Sequence, residues 1–349
     1  LRDGGYYTNW NFSSELLEKY LSVISKLPIE EVEIGYVSLN KKDSKGLFYH
    51  LNNNYLKKVK SSLRKNQSLC CMIDAKEIKT FSQLNNLISR HSSVDIFRFA
   101  INPKKIDLYI NLISKIKKKF PKKYFRINLM YLSKWYKDLS YANKLIKKIN
   151  THVDEIALVD SFGSLKPIET YNFFKDIIKN NPNRKIGCHF HNNCGLALAN
   201  TLSAIEAGCR TADTTLKGMG RGAGNAETEL LLSILRTKNL NISSYDFDNL
   251  LAIFENLKNK MKWGSSFSYS CSAIKGYSQA EMMDLIQKRR LDTSIALATI
   301  SSKLKKNNSK IKFNNLKNIK FLKKNIPIII GGAKSFYEDG EILLKNLKK

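Results

Sequence analysis

The chain has 349 residues, of which 43% are hydrophobic, and it carries a formal net charge of +29 at pH 7. This length fits about two average domains, or one α/β barrel of about 250 residues with a smaller unit. The composition excludes wholesale disorder, and the sequence has no apolar run long enough to predict a transmembrane helix. Because the six cysteines lack a disulfide framework spacing and no apolar signal segment opens the sequence, we expect a cytoplasmic protein with reduced thiols.

The excess of lysine does not by itself predict a nucleic-acid partner. Only 11 of the 59 basic residues are arginine, the residue whose planar guanidinium best reads base edges. The lysines are spread along predicted helices and tails, as expected for a solvated surface. We therefore expect neither a nucleic-acid nor a membrane partner.

Short β-rich segments alternate with amphipathic segments, a pattern typical of βα units in a parallel sheet. Several β-rich segments are continuously apolar, as expected for strands buried on both faces. Seven strands are predicted, at Glu31–Tyr36, Ser68–Asp74, Asp95–Ala100, Tyr124–Met130, Glu155–Asp160, Lys185–His191 and Thr211–Leu216. Helical spacing of apolar residues predicts helices that include Ser14–Lys26, Lys104–Lys119, Tyr136–Ile149, Pro167–Lys179 and Gly195–Ala207.

The predicted fold class is a (β/α)8 TIM barrel with its first strand truncated, followed by a helical C-terminal extension. Residues 1–4 are predicted to be the tip of that first strand, and Asn225–Arg236 the eighth helix. An open doubly wound sheet is the alternative, but it needs a Gly-rich phosphate turn after its first strand, which Gly4-Gly5 does not provide.

The sequence predicts a catalytic barrel over 1–240 and a helical extension over 241–305. Over 306–349 it predicts a linker and then the start of a further α/β domain, with a strand at Ile326–Ile330 and a helix at Gly340–Leu347. A terminal strand and helix docked on the barrel is the alternative.

Two histidines at a predicted strand end indicate a metal site on the active face of the barrel. His189 and His191 are two positions apart, so both side chains should face the same side of the strand. Asp3 can add a carboxylate from another strand end. Two imidazoles and a carboxylate suit Mn, Fe, Co, Zn or Mg. The segment Gly218–Gly224 could cradle an anion with its backbone amides, or form only a tight turn.

Four motifs follow one another along residues 1–240. They are Leu1–Gly5, Val32–Gly35, His189–Asn193 with Gly195–Asn200, and Gly218–Asn225 with Thr228-Glu229. In this order they resemble the motifs of the DRE-TIM metallolyases, a superfamily that includes HMG-CoA lyase, isopropylmalate and homocitrate synthases, pyruvate carboxyltransferase domains and 4-hydroxy-2-oxovalerate aldolase. The segment Val159–Gly163 and the opening Arg2–Tyr7 make the resemblance strongest to the aldolase branch, including proteins described as aldolase catalytic domains.

This resemblance implies a divalent-metal-dependent aldolase or lyase that makes or cleaves a carbon–carbon bond through the enolate of a pyruvate-like 2-oxo acid. Asp3, His189 and His191 would bind the metal, with Asn225 as a further ligand or close neighbour. Mn or Mg is expected, with Co or Zn as alternatives. The partners would be a small 2-oxo acid and an aldehyde, and assembly into a homo-oligomer is left open.

The resemblance also implies roles for residues around the metal. Arg2 would stabilise the enolate, and Glu33 would orient Arg2 through a charge-assisted pair. Ser161 would hold the substrate carboxylate, and Asn128 and Arg98 would help to bind the substrate.

Two tyrosines mark a departure from the aldolase pattern. Tyr6 stands where the hydroxy-oxovalerate aldolases carry a histidine general base, and a tyrosine with an ordinary pKa near 10 is a weak base at neutral pH. Tyr269 loosely matches a tyrosine that serves those aldolases as an acid, with a helix-packing aromatic as the alternative. The segment 218–224 contains no cysteine, which argues against HMG-CoA lyase itself.

Two other functions stay open at this point. An acyl-CoA-condensing synthase of the isopropylmalate or homocitrate type would need a CoA pocket, which the sequence does not locate. A non-catalytic basic scaffold is less favoured, because the set of predicted catalytic residues is intact.

Overall fold

Seven parallel strands form one sheet, in sequence order, in a computed structural model that describes residues 1–39, 44–149, 152–235, 245–277 and 279–288. Continuous apolar segments form most of the strands, because both faces of the sheet are covered. The arrangement confirms the predicted barrel-type fold of parallel strands and intervening helices. The strands are β1 (Glu31–Val37), β2 (Ser68–Ile73), β3 (Ile96–Ile101), β4 (Tyr124–Leu129), β5 (Glu155–Asp160), β6 (Lys185–Phe190) and β7 (Thr211–Asp213).

Amphipathic helices pack around this sheet, and several begin at the side-chain caps that their sequences supply. Ser13 accepts a hydrogen bond from the Leu16 amide, and Thr80 and Gln83 form a reciprocal capping box. None of the helices in the described ranges combines the length and apolar character needed to cross a membrane. The helices are α1 (Gly5–Thr8), α2 (Ser14–Ile24), α3 (Asn53–Ser61), α4 (Phe81–Arg90), α5 (Ile106–Lys119), α6 (Leu139–Ile149), α7 (Pro167–Asn180), α8 (Ala197–Glu206), α9 (Thr228–Ile234), α10 (Tyr245–Met261), α11 (Phe267–Ile274) and α12 (Gln279–Met283), with a π turn at Asp284–Lys288.

Charged side chains link distant strands inside the sheet. Arg126 on β4 is 1% exposed and donates to Glu31 on β1 and Glu155 on β5, at 2.7 Å in each case. Near the carboxyl ends of the strands, Arg98 on β3 forms ion pairs with Glu33 on β1 and with Asp213 on β7. Buried charges persist when they are paired in this way, so these pairs tie the curled sheet together.

The two edge strands, β1 and β7, are not paired with each other in the described part of the chain. A cavity of about 490 Å³ lies along them. Its wall includes the candidate site residues Asp3 and His189 together with Tyr20 of α2 and Phe254 of α10. The gap between the edge strands is therefore lined partly by candidate site residues and partly by the outer helices.

Three predicted element boundaries are wrong. Arg2–Gly4 form a 3₁₀ turn that runs into α1, not a strand tip, because the Gly4 amide donates back to the Leu1 carbonyl at 3.0 Å instead of to a neighbouring strand. The predicted strand Thr211–Leu216 ends at Asp213, and the predicted helix Asn225–Arg236 begins only at Thr228.

The helical character predicted after residue 240 is confirmed as far as the structure describes it, through α10, α11 and α12. The predicted linker, strand and helix over 306–349 lie outside the described residues, so the domain boundaries stay predictions.

Candidate metal centre

Three buried side chains converge at the carboxyl end of the sheet. Asp3 lies in the 3₁₀ turn, His189 near the end of β6, and His191 directly after β6, in an isolated β-bridge with Asn225. Each of the three offers one potential ligand atom, and these atoms lie within 4.8 Å of one another. The structure therefore brings together the aspartate and the two histidines that the sequence predicts as metal ligands.

Hydrogen bonds orient both imidazoles so that one nitrogen of each is left for a ligand. His189 Nδ1 lies 3.0 Å from a carboxylate oxygen of Asp213, and His191 Nδ1 lies 3.3 Å from the carbonyl oxygen of Gly224. Both partners are acceptors, so we assign the proton to Nδ1 in each ring. The Nε2 atoms then carry the free lone pairs, the arrangement found in histidines that bind metals.

Asn225 provides a test of whether a cation fits among these groups. Its Nδ2 donates to Asp3 Oδ2 at 2.7 Å and to the Met219 carbonyl at 3.2 Å, so the orientation of the amide is fixed by two acceptors. Its Oδ1 is buried and has no hydrogen-bond partner within the described residues. A buried oxygen without a partner is costly, and a bound cation would satisfy it. The nitrogen and oxygen donors thus fit a divalent metal ion.

The protonation states of the centre also suit a cation. Burial alone would raise the pKa of Asp3, but Arg2, His191 and His189 hold that pKa well below its ordinary value. Burial, assisted by the neighbouring His189, lowers the pKa of His191 to about 3. At neutral pH the centre therefore presents a carboxylate and a neutral His191 imidazole, the forms that bind metals.

A chain of ion pairs surrounds the three candidate ligands. Arg2 donates from Nε to Glu33 at 2.8 Å and from Nη1 to Asp3. Arg98 contacts the other oxygen of Glu33 at 3.3 Å and also pairs with Asp213. Glu33 therefore contacts Arg2, and Arg98 extends the same network to β7; the role of Glu33 in orienting Arg2 for catalysis stays a prediction.

Asp213 is a functional candidate that the sequence analysis missed. Its carboxylate joins His189 and Arg98, and these partners hold the pKa of Asp213 well below its ordinary value although burial alone would raise it. No local sequence pattern marks Asp213, because it lies beside His189 only through the register of the β6–β7 ladder.

The predicted substrate-binding residues line the same end of the sheet but are already hydrogen-bonded to protein groups. Asn128 accepts from Arg98 Nε at 3.2 Å and from Arg98 Nη2 at 3.1 Å. Ser161 is buried, and its hydroxyl accepts a hydrogen bond of 3.0 Å from the Tyr131 amide. The roles of Ser161, Asn128 and Arg98 toward a substrate stay predictions.

The two predicted acid–base tyrosines flank the glycine-rich loop, residues 218–224. Tyr6 packs edge-on against Trp10, with ring centroids 4.9 Å apart, and the Arg221 guanidinium carbon lies over the Tyr6 ring, 5.2 Å from its centroid. Tyr269 is buried in α11 beside Gly222, and burial raises its pKa to about 12. Their catalytic roles also stay predictions.

The glycine-rich loop is attached to the centre at several points. Tyr7 donates to the Gly222 carbonyl at 2.7 Å, and the Gly224 carbonyl faces His191. Gly220 has no room for a side chain, since an added Cβ would lie 2.3 Å from Asn225 Nδ2 and 2.8 Å from Asp3 Oδ2. The loop thus fixes two of the candidate ligands by close backbone approach.

Comparison with known proteins gives relatives that span most of the chain and others that match a short segment. The chain is 27% identical over 239 residues to (R)-citramalate synthase from Sulfolobus acidocaldarius, covering 65% of this chain and 45% of that protein. The chain is 25% identical over 271 residues to oxaloacetate decarboxylase from Mycobacterium tuberculosis, covering 77% of this chain and 76% of that protein. It is 43% identical over 88 residues to 4-hydroxy-2-oxovalerate aldolase from Thermus thermophilus, and this match spans only about 25% of either chain.

Solved structures extend the likeness over most of the described chain. The N-terminal domain of a candidate aldolase from Bacteroides vulgatus is 34% identical, with a TM-score of 0.72 and coverage of 82% of this chain and 94% of that domain. HMG-CoA lyase from Bacillus subtilis shares the fold at 16% identity, with a TM-score of 0.54 over 75% of this chain and 92% of the lyase. The HMGL-like family profile matches residues 1–256. The chain therefore belongs to the HMGL-like family, within the DRE-TIM metallolyase superfamily.

Proposed function

We propose that the protein is a divalent-metal-dependent aldolase or lyase that forms or breaks a carbon–carbon bond next to the carbonyl of a 2-oxo acid. The observation that carries this proposal is the buried Asp3, His189 and His191 cluster beside the Arg2 guanidinium. Mn²⁺ or Mg²⁺ is the expected ion, held by these three residues with the orphaned Asn225 Oδ1 as a candidate fourth ligand. The ion would act as a Lewis acid on the substrate carbonyl.

The residues of the chain would supply orientation and charge. Arg2 is held by Glu33 on one side and by Asp3 on the other, so its guanidinium is preorganised next to the ion site. From there it can donate hydrogen bonds to an enolate oxygen without reorganisation. Asp213 fixes the tautomer of His189 and so keeps its Nε2 available.

Aldol cleavage and decarboxylation share the step that this arrangement serves. Both release the enolate of a 2-oxo acid from a bond to the adjacent carbon, and both need an electrophile at the carbonyl and a cation at the developing oxyanion. The names of the relatives, an oxaloacetate decarboxylase and 4-hydroxy-2-oxovalerate aldolases, support this common chemistry. An aldehyde is the expected second partner for the aldolase reaction.

Enolate formation is testable without knowledge of the second partner. Protein loaded with Mn²⁺ is incubated with pyruvate in deuterium oxide, and we expect NMR to show deuterium entering the methyl group. A His189→Ala/His191→Ala variant should contain no bound metal by elemental analysis and should give no exchange. Equal metal content in the two proteins would contradict the metal site, and a loaded protein without exchange would contradict the proposed chemistry.

A further inference from the structure

Arg221 occupies a fixed position at the candidate metal centre. Its neighbour Gly220 packs against Asp3 and Asn225, and Gly222 on its other side accepts the hydrogen bond from Tyr7. The Arg221 carbonyl itself accepts from the Gly224 amide at 3.2 Å, which closes the turn. The backbone at Arg221 is therefore set by contacts to the centre on both sides.

The Arg221 side chain is held by an aromatic ring and has no carboxylate partner within the described ranges. Its guanidinium carbon lies 5.2 Å from the centroid of the Tyr6 ring, a distance at which a cation is attracted to the ring face. Its Nε is buried without a hydrogen-bond partner in the same ranges. A buried donor without an acceptor is unfavourable, so this group is suited to bind an anion.

Unlike Arg221, the other two arginines near the candidate metal centre have carboxylate partners. Arg2 is paired with Asp3 and Glu33, and Arg98 is paired with Glu33 and Asp213. Arg221 is thus a charge near the candidate ligands that no acidic side chain of the described residues neutralises.

We propose that Arg221 binds a second carboxylate of the substrate, at the end remote from the 2-oxo acid group. This assignment rests on the proposed function, and it narrows the substrate class to 2-oxo dicarboxylic acids. The 2-oxo acid group would occupy the ion and Arg2, so the second carboxylate is left for Arg221, whose Nε has no hydrogen-bond partner in the described residues. A planar guanidinium can donate two parallel hydrogen bonds to a carboxylate, which a lysine at this position could not reproduce.

Matched pairs of ligands isolate this interaction. 2-Oxoglutarate and 2-oxovalerate have the same chain length and differ in whether the last carbon is a carboxylate or a methyl group; oxaloacetate and 2-oxobutyrate form the same pair one carbon shorter. Affinity for Mn²⁺-loaded protein is measured by calorimetry for the longer pair. For the shorter pair it is measured as inhibition of initial pyruvate deuterium exchange.

We expect the wild-type protein to bind the dicarboxylate of at least one pair about 10- to 100-fold more tightly than its partner, as for a hydrogen-bonded charge pair. Arg221→Gln should remove this preference, so that the two members of the pair bind with similar affinity. The control Arg90→Gln removes one positive charge from the exposed end of α4 and should keep the preference.

The outcomes separate this assignment from the proposed function. If the wild-type protein exchanges pyruvate protons but prefers the dicarboxylate in neither pair, the assignment of Arg221 is wrong and the proposed function stands. The assignment is also wrong if Arg221→Gln keeps the preference or weakens both members of a pair equally. A wild-type protein that neither exchanges pyruvate protons nor binds any of the four acids contradicts the proposed function itself.

Discussion

At the scale of single residues, the fixed position of the Arg2 guanidinium matters for its proposed role as well as its positive charge. It is buried, and Glu33 and Asp3 fix its guanidinium from two sides. We expect Arg2→Lys to lower turnover and pyruvate exchange by roughly 100- to 1000-fold, the usual effect of losing one preorganised donor to an oxyanion. Elemental analysis should find the metal content unchanged, because Arg2 is not one of the candidate ligands.

Two results would contradict this role for Arg2. Near-normal exchange in Arg2→Lys with bound metal would mean that Arg2 serves only as a structural partner of Glu33. Loss of metal together with exchange would mean that Arg2 acts by holding Asp3 in place.

His191 gives the metal-free protein a specific dependence on pH. Burial lowers the pKa of His191 in the folded protein to about 3, whereas an unfolded histidine titrates near 6.5. As the pH falls from 7 to 5, the unfolded state therefore binds a proton that the folded state does not, and stability decreases. For one such group the loss is about 2 kcal/mol.

Urea unfolding at pH 7 and pH 5, with a chelator present, measures this loss. We expect His191→Gln to lose about 2 kcal/mol less than the wild-type protein over this interval. Equal losses in both proteins would show that the pKa of His191 in the folded protein is close to its unfolded value, and the inferred effect of burial on this side chain would be wrong.

Site residues could be predicted where the spacing along one strand sets the direction of their side chains. They could not be predicted where their role depends on a contact with a residue of another strand. His189 and His191 were identified because a strand alternates its side chains, and the structure does place them together with Asp3. Asp213 was missed because its role depends on the register between β6 and β7. The pairing of Arg98 with Asp213 links residues 115 positions apart, so no local pattern announces it.

At the scale of elements, the glycine-rich loop packs so closely against the candidate metal centre that Gly220 has no room for a side chain. An added Cβ at Gly220 would overlap the Asn225 amide and the Asp3 carboxylate. We therefore expect Gly220→Ala to weaken metal affinity at least tenfold, because it displaces two of the candidate ligands. Titration of the metal-free variant with Mn²⁺, followed by calorimetry, measures this effect.

Gly276 provides a matched glycine outside the centre. It has a φ of +67° and nothing within 4 Å of an added Cβ, so alanine there strains the backbone without touching the centre. Gly276→Ala should lower the melting temperature and keep the metal affinity. If both variants bind Mn²⁺ like the wild type, the close approach at Gly220 does not shape the centre.

The elements themselves were largely predictable, and their ends near the site were not. The seven predicted strands are confirmed. They could be predicted because a continuous apolar segment is typical of a strand that is buried on both faces of a sheet. The segment after β7 was misjudged because long-range contacts shape it. Thr215 forms a bridge with Glu227, and the Glu229 carboxylate accepts from the Lys217 amide, which together hold residues 214–227 as a loop.

At the scale of the whole molecule, β1 and β7 leave backbone groups available along the gap between them. Such edges can accept a further strand, and closing a sheet into a barrel pairs both at once. Leu1 already donates from its amino nitrogen to the Glu33 carbonyl on β1. We expect an apolar segment of about six residues added before Leu1 to raise the melting temperature by several degrees, since about 2–4 °C accompanies each kcal/mol in a domain of this size.

The control is a segment of the same length in which two residues are replaced by proline, because proline cannot donate to the ladder of hydrogen bonds. It should leave the melting temperature unchanged. Equal melting temperatures for all three proteins would mean that the gap between β1 and β7 does not accept a strand.

The same gap also bears on which product the centre would release. The cavity along β1 and β7 is lined by Asp3 and His189 and by residues of the outer helices, so water that enters this cavity would meet the candidate centre. An enolate carbon that meets water is protonated and lost as the simple 2-oxo acid, whereas a dry enolate survives until its carbon partner arrives. A strand lying in this gap would therefore shift the ratio of products from protonation toward carbon–carbon bond formation, and the packing of one edge of the sheet would set the chemical yield.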